Sequence, residues 1–245
     1  MKKVAVITGG GGGIGRAVAI ALSDEGWHVV VAGRTKVSLD ETVALFKTEG
    51  LAVACDVSTE ADVSSLFEQT VAKFGQVDML FNNAGIAAPA VPIDELANDI
   101  WNQVVAINLT GAFLCAQAAF GQMRKQANGG RIINNGSVSA TTPRPFSAPY
   151  TCTKHAISGL TKCLSLDGRQ FGISCSQIDL GNVTSKMGDQ MAQGVLQANG
   201  TTLAEPTIPV KPVCDAILYM LSVPKEANVL NMTVMANDMP FVGRG

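Results

Sequence analysis

Short apolar runs alternate with longer amphipathic segments from one end of the chain to the other. Residues 4–8, 29–32, 52–55, 77–82, 131–134, 173–178 and 229–235 are rich in Val, Ile and Leu with little polar alternation, the pattern of strands buried on both faces. The stretches between them are of helix length, and connections that long suit right-handed crossovers between parallel strands. The pattern predicts an α/β, doubly wound, mostly parallel seven-stranded sheet with helices on both faces. Two of the helices are long, at about 99–126 and 148–171. No repeat, low-complexity tail or linker divides the chain, so 1–245 is read as one domain. Residues 185–210 lack a clear period and carry Gly188, Gly194, Gly200, Pro206 and Pro209; they read as a substrate flap.

Composition narrows the picture. With 245 residues, 47% of them apolar, the chain can bury one large core. Eighteen basic against twenty acidic residues, with no basic block, argue against nucleic acid as a partner. The first apolar run meets glycine after five residues, too short for a leader or a membrane span, so a cytoplasmic protein is expected. The six cysteines include no Cys-x-x-Cys pair and stand in apolar surroundings, as reduced core thiols do. His28 and His155 have no second ligand at metal-binding spacing, so no metal is expected.

The first run ends in Thr8 and five consecutive glycines, Gly9 to Gly13, followed by Ile14, Gly15 and a helical pattern. A strand feeding a glycine turn and a helix N-terminus lets backbone N–H groups approach a pyrophosphate, with the helix dipole favouring its charge. Two spacings fit: Gly10, Gly12 and Gly15 make G-x-G-x-x-G, while Gly9, Gly13 and Gly15 make T-G-x-x-x-G-x-G. After the second strand an acid would bind the ribose hydroxyls of NAD, and a base would accept the 2′-phosphate of NADP. Here the residues are Gly33, Arg34, Thr35 and Lys36, and no acid comes before Asp40. Arg34, helped by Lys36, therefore favours NADP(H) as the cofactor. NAD(H), with a merely solvated basic turn, stays open.

Tyr150 and Lys154 fall one turn apart on the second long helix. A free phenol titrates near ~10, but a neighbouring ammonium favours the phenolate and makes tyrosine a usable acid/base. Upstream, Ser137 closes a buried strand, Asn82, Asn83, Ala84 and Gly85 close another, and Asn108 lies in the first long helix. In open α/β sheets ligands bind at that edge.

With these motifs together, the sequence resembles the short-chain dehydrogenase/reductase family in its compact branch, along essentially its whole length. The resemblance implies a Rossmann-type fold and hydride transfer between a nicotinamide cofactor and a small alcohol or carbonyl substrate. It implies Tyr150 as proton donor or acceptor, Lys154 at the nicotinamide ribose, Ser137 polarising the carbonyl, and Asn108 holding a proton-relay water. Gly9, Gly13, Ile14 and Gly15 would surround the pyrophosphate, Asp56 and Val57 the adenine, and Asn82, Ala84 and Gly85 the rest of the cofactor. After the sixth strand, Gly181 and Val183 match the family, Leu180 replaces its proline, and Ser185 stands where threonine is common. Ser139, Arg144, Met187 and Met191 are candidate substrate contacts, Arg144 either binding a carboxylate or simply solvated.

The C-terminal residues 232–245 depart from the family's glycine-rich ending, and wrap a neighbouring subunit, close a pocket or fray. Relatives pair the two long helices into homodimers or homotetramers, and Ala112, Ala116, Ala118 and Ala119 would permit close approach. Two other readings stand beside this one. A nucleotide-sensing regulator would keep the glycines without needing the acid/base set. An epimerase or dehydratase of the longer branch would need a substrate domain for which there is no room.

Overall fold

A computed structural model describes residues 2–184 and 194–242. Strands β1 (Val4–Thr8), β2 (His28–Gly33), β3 (Gly50–Ala54), β4 (Met79–Asn82), β5 (Gly130–Asn135), β6 (Ile173–Leu180) and, further on, Asn231–Val234 form the main sheet. Helices α1 (Gly13–Asp24), α2 (Lys36–Val43), α3 (Glu60–Phe74), α4 (Asn98–Val105), α5 (Ala112–Met123) and α6 (Ala148–Asp167) alternate with them. The short strands β7 (Val195–Leu196) and β8 (Thr202–Leu203), helix α7 (Lys211–Ser222) and β9 (Asn231–Val234) complete the order.

The seven strands run parallel in the order β3-β2-β1-β4-β5-β6-β9. Strand order reverses between β1 and β4, and at such a switch point a crevice opens at the carboxyl ends of the strands. Successive residues on a strand face opposite sides, and β1 shows how the apolar run is used. Ala5 and Ile7 join Val18, Leu22, Leu39, Ile217 and Met220 under α1, α2 and α7. Val6 joins Leu66, Phe67, Cys115, Ala116, Ala119 and Met123 under α3 and α5. Each fully buried Leu or Ile contributes roughly 2 kcal/mol, and these paired layers fix the strand ends where the chemistry sits.

Several expected boundaries shift. β4 starts at Met79 because the Val77 amide donates to Gln126 Oε1 (2.9 Å) and not to a neighbouring strand. β9 is shorter than the apolar run that predicts it. The first long helix spans Asn98–Met123, but residues Ala106–Gly111 form a π-turn within it. That rod is long and apolar enough, by length and composition, to cross a membrane; its buried Cys115, Ala116, Ala119 and Met123 nevertheless pack in the core between sheet and α3. The second long helix stops at Asp167, and a 3-10 turn, Arg169–Phe171, follows it. In the described part of the expected flap, β7 and β8 pair as a hairpin, and Val183 bridges to Ile208.

Candidate active site

The glycine turn discriminates between the two spacings. Gly9 and Gly13 adopt φ +67° and +51°, the left-handed region where a side chain is strained. A Cβ on Gly15 would lie 2.3 Å from the Gly9 carbonyl oxygen, so α1 crosses the turn in backbone contact. A Cβ on Gly10 would stand 2.6 Å from Val31 and one on Gly11 2.5 Å from Ser38, so these positions are tight as well, but neither has a positive φ. The T-G-x-x-x-G-x-G spacing is the one whose first two glycines take up the left-handed backbone. Gly12 caps α1 without any side-chain bond, and a Cβ built there meets nothing within 4 Å. The N-terminal N–H groups of α1 and the helix dipole thus face open space at Gly12, the arrangement that suits a diphosphate. Thr8 Oγ1 accepts from the Asn83 and Ala84 amides, both at 3.0 Å, tying the turn to the end of β4. Arg16 Nη2 donates to the Gly11 carbonyl (2.7 Å) and braces the turn from the other side. Ile14 packs partly buried on the core behind it. Gly15→Ala is expected to cost about 3 kcal/mol through overpacking, read as a lower Tm together with lost cofactor affinity.

Beyond the turn a cavity of about 140 Å3 is lined by Gly33, Arg34, Cys55, Asp56, Val57, Ala84, Gly85, Ile86 and Ile107. It gathers the residues expected around the adenosine half of the cofactor, and adds Cys55, Ile86 and Ile107. Asp56 Oδ1 accepts from the Ser58 hydroxyl (2.6 Å) and amide (3.0 Å). Those two bonds, with Arg34 nearby, hold its carboxyl below the usual range against a smaller opposing effect of burial. Arg34 is exposed, and no ion pair engages it among the described residues. Lys36 pairs instead with Asp40 one turn on, so its charge is already matched. The glycine turn and this cavity lie where a nicotinamide dinucleotide would be held.

Tyr150 and Lys154, the expected acid/base pair, lie one turn apart on α6. Lys154 is buried, donates to the Asn135 carbonyl oxygen (2.6 Å), and places Nζ 5.4 Å from the Tyr150 ring centroid. Ser137 is buried at the end of β5; its Oγ accepts from the Ser139 amide (3.1 Å). With a lone pair occupied there, the Ser137 hydroxyl proton is left to turn outward. Ser139 therefore orients Ser137 through its main chain. The Ser137 amide donates to Asp179 Oδ1 (2.9 Å), which also accepts from Gln177 (2.7 Å), while Asp179 Oδ2 accepts from Asn231 (2.7 Å). Gly136 leaves room for this buried carboxylate, since a Cβ there would stand 2.0 Å from Asp179 Oδ1. Sequence reading missed Asp179; the signal was an acid near the end of a strand buried along nearly all its length. Asp179→Ala strands three donors and is expected to destabilise the fold by about 3 kcal/mol, seen as a fall in Tm.

Two expected roles need correction. Asn108 Oδ1 and Nδ2 bond the Ile86 amide (2.8 Å) and carbonyl (2.9 Å), so any relay contact comes from the main chain of its π-turn, not from the side chain. Gly111 allows that turn to lie against Val57. Asn82 Nδ2 donates to the Ala112 carbonyl (2.9 Å) and Asn134 Oδ1 (3.0 Å), within the sheet and away from the cleft. Its neighbour Asn83 supplies the link to the glycine turn.

Arg144, offered as a carboxylate binder, engages buried Glu205 and Asn182 through Nη2, while its buried Nε has no hydrogen-bond partner among the described residues. Burial alone would raise the Glu205 carboxyl, but bonds from Gln197 and Asn182 and the charge of Arg144 more than offset it, leaving it below the usual range. Leu180 and Val183 are core residues, and Gly181 lies tight against Met235. Ser185, Met187 and Met191 fall outside the described residues. The tail does not fray over its described part: Ala236 and Met239 pack on Val138, beside Ser137. Nor are all cysteines in the core, for Cys152 and Cys163 are exposed on α6.

A family model described as short chain dehydrogenase matches residues 3–195. The 3beta-hydroxysteroid dehydrogenase of Mediterraneibacter gnavus is 32% identical over 265 aligned residues, covering 98% of this chain and 95% of that protein. The solved structure of NAD+-bound xylitol dehydrogenase superposes with TM-score 0.87 at 26% identity, over 95% of this chain and 97% of that one. A 3-ketoacyl-(acyl-carrier-protein) reductase from Brucella melitensis, complexed with NADH, gives TM-score 0.85 at 26% identity, over 96% and 97% of the two chains.

Proposed function

This chain belongs to the short-chain dehydrogenase/reductase family, whose members are NAD(P)-dependent oxidoreductases acting on CH–OH groups, and from that membership we propose that it interconverts an alcohol and a ketone or aldehyde using NADP(H), with Tyr150 as acid/base. The observation that carries the reading is the Tyr150 and Lys154 pair on α6, with Lys154 anchored at the end of β5 on Asn135, two residues before Ser137.

When bound, the cofactor supplies the hydride. The Ser137 hydroxyl proton, free to turn outward, donates to the carbonyl oxygen, and Tyr150 gives that oxygen its proton in reduction or takes it in oxidation. Negative charge developing on the phenol oxygen is stabilised by the ammonium of Lys154, whose position is set by the Asn135 carbonyl. One of its three N–H groups is used there, and the others remain for a ribose hydroxyl. Gly9, Gly13, Ile14 and Gly15 with Gly12 hold the diphosphate. Asp56, Val57, Ala84 and Gly85 surround the adenosine, and Arg34 pairs with a 2′-phosphate. The relatives solved with NAD+ and NADH make cofactor choice the point to test, and the absence of an acid at the Gly33–Arg34 turn supports NADP(H).

We further propose a cytoplasmic oligomer. Exposed, unpaired Cys152 and Cys163 suit a reducing compartment. Ala112, Ala116 and Ala119 are buried in the subunit's own core, so they cannot form the helix contact expected of them. The outward face of α4 and α5 carries Trp101 and Phe113 instead. Consumption of NADPH with a panel of ketones, aldehydes and diketones tests the activity: turnover supports it, and tight cofactor binding with no turnover on any substrate would point to a sensor.

A further inference from the structure

Polar side chains from separate segments converge on one carboxylate. Glu205 lies just after β8 with its side chain 1% exposed. Its Oε2 accepts from Arg144 Nη2 and from Asn182 Nδ2 (2.9 Å), and its Oε1 accepts from Gln197 Nε2 (3.0 Å). Arg144 Nη2 also donates to Asn182 Oδ1 (3.0 Å), so Arg144, Asn182 and Glu205 each bond the other two. Arg144 belongs to the stretch between Ser137 and Tyr150, and Asn182 to the stretch leaving β6. Gln197 opens the turn between β7 and β8, and Glu205 follows β8.

The loop so held is under strain. Phe146, two residues beyond Arg144, has φ 57° and is the one non-glycine residue with positive φ among those described. A bulky L-residue keeps that conformation only where its surroundings impose it. Ser147 Oγ donates to the Arg144 carbonyl oxygen (2.6 Å) and bonds Thr151 Oγ1 (2.8 Å), joining the loop to the first turn of α6. Pro143, Arg144, Phe146 and Ser147 line a cavity of about 450 Å3 together with Val91, Pro92, Ile93 and Leu96. Ala148, Pro149 and Thr151 also line it, on either side of Tyr150 in sequence.

We propose that Glu205 is a positioning residue whose carboxylate clamps the loop before Tyr150 to the loop after β6, and so sets the wall against which a substrate is held. A buried ion pair contributes little net stability compared with apolar packing, but losing one partner leaves an uncompensated charge. It is therefore suited to fixing a geometry. The consequence for catalysis rests on Tyr150 being the acid/base; the clamp itself does not.

The test compares wild type with Glu205→Gln, Arg144→Gln and the double variant, which removes both charges of the pair and carries the test if either single variant fails to fold. Two readouts are taken. Amide hydrogen exchange at 141–148 in the cofactor-free protein is expected to rise about tenfold in the double variant while β1 and β4 stay unchanged. KM for the carbonyl substrate is expected to rise about tenfold with kcat within about twofold, the double variant being no worse than the more affected single. Unchanged exchange at 141–148 would overturn the clamp. So would singles whose effects add in the double, or a fall in kcat and Tm at constant KM, the signature of a merely structural role. A wild type that reduces no carbonyl would instead remove the hydride-transfer reading, with the exchange result still deciding the clamp.

Discussion

Tyr150→Phe is expected to lower kcat by about three orders of magnitude while leaving cofactor affinity and Tm near wild type, since a positioned acid/base contributes roughly 10²–10⁴-fold. The phenol oxygen has no hydrogen-bond partner within the chain among the described residues. Removing it therefore leaves no orphaned group, and folding has little to lose. The ring that stays behind still fills its place 5.4 Å from the Lys154 ammonium. Steady-state turnover, fluorescence titration with reduced cofactor and thermal melting separate the outcomes. Full activity in the variant would remove Tyr150 from the mechanism, and a collapse of Tm would make its role structural. Lys154 gives no such clean separation: it is buried and bonded to the Asn135 carbonyl, so its loss disturbs the site as well as the charge.

The second large effect is on cofactor choice. Arg34→Ala is expected to raise KM for NADPH by about 10–100-fold, the equivalent of a charge-assisted hydrogen bond of about 1.5–3 kcal/mol, with KM for NADH little changed. Arg34 is exposed in the lining of the adenosine cavity, where Asp56 acts on it only at longer range and no ion pair engages it among the described residues. Lys36 is committed to Asp40 and cannot replace it. Because the contact is exposed, the NADPH preference should also weaken as salt is raised. A wild type preferring NADH, unaltered by the substitution, would overturn the assignment of Arg34.

Legibility followed the range of the interactions. Arg34 was legible from the turn after the second strand, and Asp56, Val57, Ala84 and Gly85 from the family resemblance; the parallel sheet brings all five around one cavity, because its strand ends share an edge. The Tyr150 and Lys154 spacing needed only helical periodicity. Asn82 and Asn83 show where this stops: the two amides are adjacent in sequence and face opposite ways, and only cross-strand partners reveal which serves the sheet and which the turn. The same holds for Ala112, Ala116 and Ala119, whose small size suited a subunit contact equally well. Their apolar neighbours on the sheet decided the matter.

The sequence by itself determined what depends on local spacing: the strand and helix alternation, the glycine turn before α1, the basic turn after β2, and the acid/base pair on α6. Tertiary structure alone decided how buried polar groups are shared out. Asp179 under Ser137, Asn108 on Ile86, and Arg144 on Glu205 join residues 42, 22 and 61 positions apart. A buried donor or charge must find its partner wherever the fold brings one within hydrogen-bonding distance, and no periodicity along the chain encodes that meeting.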